Sequence, residues 1–176
     1  VMMIAALESA MGTDFGLCEA PGFLDTSAFV QFMTAPTGEC FNFSDSAPYA
    51  PCNMMMFWFA SKTGDLQRIW LERQYLENLP DDFMDEVDRR FTEHRLLPAL
   101  MVFASRLDMS RPVLPDEHFR VYEGKTPLFI YREGWNSKED AYLGIKGGSP
   151  MTSHAHMDAG LFVYEYDGVR WSMDLG

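Results

Sequence analysis

The chain is short of positive charge, of cysteine and of long apolar runs. Against 26 Asp and Glu it carries only 14 Lys and Arg, a formal net charge of −12. General nucleic-acid binders carry a basic footprint, so that class is excluded and no nucleic-acid partner is expected. Three cysteines, Cys18, Cys40 and Cys52, include no CxxC pair and allow at most one disulfide. A disulfide framework is therefore ruled out, and we expect no bridge at all. The run of about 18 apolar residues that a membrane span needs is missing. The apolar MMMFWFA beginning at Met54 is too short to span and reads as a buried helix.

What the chain does have is core material. Its 176 residues are 47% hydrophobic and 14% aromatic, with 13 Met, enough for one medium domain or two small ones. Such a composition excludes a disordered chain. The sequence opens at Val1 inside an apolar helical pattern and stops at Gly176 directly after a strand-like one. Neither end looks like a domain edge, so a piece of a longer protein is expected, truncated at both ends.

The period of the apolar residues changes once along the chain. Residues 1–11 form an apolar run closed by Gly12, placed as a helix C′ glycine. Thr26 or Ser27 is placed to cap a second helix carrying Phe29, Val30, Phe32 and Met33. A loop rich in Gly, Ser, Asp and Pro fills 36–51, and further helices are expected at about 52–61, 65–76, 81–93 and 96–106. After SRPVLPDE the pattern alternates: FRVYEG, PLFIYREG, AYLGIKGG, LFVYEYDG and VRWSMDLG read as strands separated by glycine turns. Asp167-Gly168 between two alternating runs is a strong hairpin signal. A helical block, 1–110, thus precedes an antiparallel β block, 111–176, and the fold class is α+β in more than one domain.

Chemistry concentrates in SHAHMDAG at 153–160. In an extended segment alternate residues share a side, which would put His154, His156 and Asp158 on one face. Imidazoles are common zinc ligands and the usual general bases near neutral pH, and a carboxylate can ligate or orient. Asp174 is a further candidate ligand, tested by register. A two-residue turn at Asp167-Gly168 pairs Tyr166 with Val169 and Leu161 with Asp174. His156 would then lie about 17 Å beyond that pair and face the opposite side of the sheet. A straight hairpin cannot join them; a bend or bulge around Ala159-Gly160 could. GIKGGSPMTS could form a mobile loop beside a cleft with Lys146 facing an acidic ligand, or an ordinary solvent loop, while Asn42 and Asp45, in FNFSDS, could line a groove or simply serve turn chemistry. His94 and His118 receive no role.

The stretch GIKGGSPMTSHAHMDAGLFVYEYDGVRWSMDLG resembles the heparinase II/III-like polysaccharide lyases. Their β domain opens with a K/R-G-G, H-x-H-x-D-x-G-x-F, D-G-x-x-W, D-x-G series. AALESAMGTDFGL, APGF and TGECFNFSDS look like the closing helices of that family's α/α toroid. The resemblance implies the C-terminal helices of a toroid followed by the first strands of an antiparallel β-sandwich. It implies cleavage of uronic-acid-containing glycans by β-elimination, hence an acidic polysaccharide substrate and a periplasmic or secreted location. His154 matches the histidine of proton transfer, working with a tyrosine whose motif lies upstream of Val1. His156 and Asp174 match two ligands of one mostly structural zinc, whose third ligand, a histidine, lies beyond Gly176. Asp158 matches an orienting position, and Lys146 is the one candidate for stabilising enolate-like charge. A chain holding half of such a site is expected to be inactive alone. Two rival readings stay open. HxHxD also resembles a metallohydrolase signature, which continues with a histidine where this chain has Ala159, and a non-catalytic glycan-binding protein could keep the same fold.

Overall fold

The computed structural model describes residues 1–48, 53–78, 101–110, 113–149, 151 and 156–174. The chain divides into two compact units, residues 1–29 with 52–113, and residues 30–51 with 114–176. It combines helices with one antiparallel five-stranded sheet, an α+β fold. No helix among the described residues is long and apolar enough to cross a membrane.

In the first unit, α1 (Met2–Met11) ends as its sequence requires. Gly12 takes φ 71°, a left-handed conformation that glycine adopts without a Cβ clash, and its N–H returns to the Glu8 carbonyl. α2 (Thr26–Met33), of which residues 26–29 belong to this unit, departs from expectation at its start. Thr26 and Ser27 lie inside the helix, and their hydroxyls donate back to the Phe23 and Leu24 carbonyls instead of accepting helix N–H groups. α3 (Met55–Thr63) buries Met56, Phe57, Trp58, Phe59 and Ala60, so the apolar run is core as its composition demands. The helix expected at 65–76 divides into a 3₁₀ turn, Leu66–Ile69, and α4 (Trp70–Glu77). Asp65 explains the break: its carboxylate accepts the Gln67 N–H at 3.0 Å and pairs with Arg68 Nε at 3.0 Å, tightening that turn. Residues 101–104 are helical; the helix expected at 81–93 and the start of that at 96–106 lie outside the described residues, as does Cys52.

The second unit contains the sheet. Its strands are β1 (Phe119–Tyr122), β2 (Leu128–Arg132), β3 (Tyr142–Lys146), β4 (Phe162–Tyr166) and β5 (Val169–Ser172), each antiparallel to the one before it. All five expected strands form. Tyr166 pairs with Val169, and the intervening Asp167 and Gly168 take φ 55° and 73°, the left-handed pair that a two-residue hairpin turn needs.

The two sheet faces differ in kind. One face carries Ile130, Tyr142 and Val163, and with them the buried polar residues Arg132, Lys146 and Glu165. Residues 30–51 supply its partners. Glu165 accepts the Thr37 N–H at 3.0 Å, the Thr37 hydroxyl at 2.8 Å and Arg170 Nε at 2.7 Å. Arg170 also donates to the Cys40 carbonyl at 2.7 Å. Arg132 donates to the Thr34 carbonyl at 3.1 Å and lies 3.5 Å from the centre of the Trp135 ring; burial lowers its pKa to about 10. The Tyr142 hydroxyl donates to the Phe32 carbonyl at 2.9 Å, and its burial raises its pKa. Phe41, fully buried, occupies the space above Gly144, where a Cβ would stand 2.6 Å from the ring. The opposite face is apolar and open: Phe119, Val121, Tyr131, Phe162, Tyr166 and Trp171 are each between 39% and 66% exposed.

Candidate functional site

The site is built where β3 ends. Beyond the regular ladder, the Lys146 N–H donates to the Leu161 carbonyl and the Gly160 N–H donates to the Lys146 carbonyl, both at 2.8 Å. The Leu161 N–H then donates to the Asp158 carbonyl at 2.9 Å, closing a four-residue turn. Gly160 sits at the third position of that turn with φ 88°, which a residue with a Cβ adopts only under strain. The chain is thereby turned at the glycine from which a bend was expected. A second irregularity lies in the last hairpin. The register shifts between Tyr164 and Glu165, so Tyr164 pairs with Ser172 while Glu165 pairs with Arg170. This bulge adds a residue to β5 and breaks the straight ladder on which the 17 Å separation rested.

The consequence is convergence. His156, Asp158 and Asp174 each offer a ligand atom, and these atoms all lie within 4.8 Å of one another. Asp158 forms an ion pair with Lys146, the two side chains being 10% and 5% exposed. The Lys146 ammonium also lies 5.7 Å from the Phe43 ring centre. His156 Nε2 is 3.4 Å from Asp45 Oδ1. Asn42, itself buried, donates from Nδ2 to the Asp174 carbonyl at 3.1 Å. Seven residues from three separate stretches, 42–45, 146–158 and 174, therefore meet in one place. His154 lies outside the described residues.

The environments sort the candidates. Lys146 is buried against Asp158, so its charge is already committed within the protein. Asn42 is buried and turned to the backbone of Asp174. The Asp45 carboxylate is 70% exposed and carries the wrong sign to attract a uronate. Lys146 and Asn42 are thus engaged within the protein, and Asp45 stands exposed beside His156.

A zinc ion fits the donor set of one imidazole and two carboxylates. Ligand atoms around tetrahedral zinc stand roughly 3.4 Å apart, a short side-chain adjustment from the observed spread. Asp158 Oδ2 is buried without a hydrogen-bond partner among the described residues, an acceptor that suits a cation.

A second cluster, Glu8, Asp14 and Cys18 in the first unit, is different in character. Glu8 pairs with Lys62. Asp14 is held down to about 2 by hydrogen bonds from the Cys18 thiol and from the Cys18 and Gly16 N–H groups. Burial and that same carboxylate push the Cys18 thiol up to about 11. A thiol kept protonated is a poor nucleophile and a poor ligand. A cavity of about 520 Å³ is lined by residues 116–121, none of them in the His156 cluster.

Sequence reasoning did not identify Phe43, or the Thr37–Glu165–Arg170 clamp that ties residues 37–40 to the sheet. Glu165 did leave a signal: in LFVYEYDG it falls in phase with the core residue Val163. An acid at a core position of an alternating strand implies a buried cation or donor. No protein-family model matches the chain, and no curated protein matches it.

Proposed function

We propose that this chain is part of a polysaccharide lyase that cleaves uronic-acid-containing glycans by β-elimination. The observation that carries the reading is the convergence of His156 and Asp174, with Asp158 beside them. The H-x-H-x-D and D-x-G elements, separate in sequence, are the ones whose joint use the resemblance to heparinase II/III-like lyases implies. The open apolar face of the sheet supports the finer fold. A sheet with a polar network on one side and exposed aromatics on the other is suited to take a second sheet, as in a sandwich. The helical part is read as the end of an α/α toroid, with the rest of the parent chain completing both domains. Periplasmic or secreted location follows from the substrate.

In this reading His156 and Asp174 would hold one zinc ion, whose contribution is to anchor the segment that carries His154. His154 would move a proton at the sugar. Elimination requires the uronate carboxylate neutralised, the C5 proton removed and the leaving O4 protonated, and a histidine and a tyrosine can divide those transfers. The tyrosine and the cationic group facing the uronate are assigned to the rest of the parent chain, because Lys146 is engaged by Asp158.

The test is ultraviolet absorbance from unsaturated uronate, with the complete parent protein presented with a panel of polyuronates and His154→Ala run alongside. A signal on one substrate, abolished by the substitution, is the expected result. Silence on every substrate from a folded, metal-loaded parent would reject the lyase in favour of a hydrolase or a glycan binder. The 176-residue chain alone is expected to be inactive.

A further inference from the structure

We infer that Asp158 is a direct metal ligand, its Oδ1 held by Lys146 and its Oδ2 offered to the ion, so that this chain supplies three ligands, His156, Asp158 and Asp174. The inference rests on reading the site as a metal centre and is independent of the reaction class. The Asp158 side chain is nine-tenths buried. One oxygen is tied to the Lys146 ammonium, and the other is buried without a hydrogen-bond partner among the described residues. A buried carboxylate oxygen left without a donor costs free energy, and the atoms of His156 and Asp174 lie within 4.8 Å. Three oxygen and nitrogen donors from one imidazole and two carboxylates suit a divalent first-row ion.

Charge agrees with that assignment. Asp45, Asp158 and Asp174 contribute three negative charges and Lys146 one positive, leaving two for a divalent cation to balance. The Lys146 pair also fixes the carboxylate, because an ammonium on Oδ1 leaves the second oxygen for the ion. Lys146 is thus a positioning residue for the ion. Asn42, donating to the Asp174 carbonyl, locates the third ligand from another part of the chain.

Cobalt(II) serves as the probe, titrated into the 176-residue chain with its visible ligand-field bands as readout and zinc as competitor. One equivalent should bind. Asp158→Asn should weaken cobalt by roughly 100-fold or more, and Lys146→Met by about 10- to 100-fold, the range for an outer-shell partner. Because Asp158→Asn leaves a buried ammonium alone, the double variant Lys146→Met/Asp158→Asn provides a neutral, space-filling control for folding. It should remain roughly 100-fold weaker than the parent. Parent-like affinity and bands in a folded Asp158→Asn chain, or in the double variant, together with loss of binding in His156→Ala, would overturn the assignment of Asp158 alone. A folded 176-residue chain without substitutions that binds no cobalt would overturn the metal centre with it. Neither outcome depends on lyase activity, which fails or succeeds in its own assay.

Discussion

Glu72 in α4 should make the first unit lose stability as the pH rises toward the alkaline side of neutrality. Its carboxyl is buried and accepts the N–H of Asn53, just before α3, while Oε2 has no hydrogen-bond partner among the described residues. No ion pair to it exists among those residues, so burial dominates and raises its pKa from 4.5 to about 8. The sign follows from where the proton sits. Below about 4.5 the acid is neutral both folded and unfolded, and its contribution is fully present. Between there and about 8 the unfolded chain gives up the proton while the folded chain keeps it, so stability falls as pH rises. At about 1.4 kcal/mol per pH unit, that window amounts to roughly 5 kcal/mol. This is comparable with the whole stability of a small domain. Glu72→Gln preserves the shape and the acceptor for Asn53 but removes the titration. Urea unfolding followed by tryptophan fluorescence, with Trp58 buried in the same unit, should give similar stabilities at pH 4.5 and a variant several kcal/mol more stable at pH 8. Parallel pH profiles would refute the reasoning. A variant less stable at pH 8 would show instead that Glu72 is ionised and paired in the fold.

Two further perturbations test the scaffold behind the site. Glu165→Gln leaves the side chain of Arg170, 4% exposed, without its fully buried partner, and should cost about 3 kcal/mol. Hydrogen exchange at the Thr37 amide should accelerate, since that N–H donates to Glu165 at 3.0 Å; unchanged exchange and stability would count against the clamp. Gly144→Ala places a Cβ 2.6 Å from the Phe41 ring and should destabilise the second unit by about 1–3 kcal/mol. Shortening the neighbour in Phe41→Leu/Gly144→Ala should restore part of the loss in the same urea titration, whereas parent-like stability of the single variant would refute the close contact.

The legible parts of this protein were those decided within a few residues. Alternation of period two marks every strand of the sheet, because successive residues turn to opposite sides of a pleat whose two faces differ in exposure. Gly12 ends α1 and Asp167-Gly168 closes the last hairpin because their backbone conformations are ones few other residues adopt. Where two local signals competed, the pattern was less informative. Thr26 and Ser27 offered caps, yet their hydroxyls bond backward, and Asp65 interrupts a run whose periodicity read as one helix.

The membership of residues 30–51 in the sheet's unit was invisible, since the end of a helix does not show which unit it joins and the Gly-, Ser- and Pro-rich loop at 36–51 carries no period. Its attachment depends on Glu165, Arg170, Arg132 and Tyr142, each bonding to a partner about 100 residues or more away in sequence. The candidate site shows the same division. Its residue types, and the need for a bend before His156 could approach Asp174, followed from the sequence and the geometry of a hairpin. Their meeting was decided by the turn at Gly160 and the register shift between Tyr164 and Glu165. The pairing of Lys146 with Asp158 likewise emerged only with the fold. Short-range backbone preference and period are properties of neighbouring residues. Which charges are buried together is settled only when distant segments share one interior, where an unpaired charge is costly.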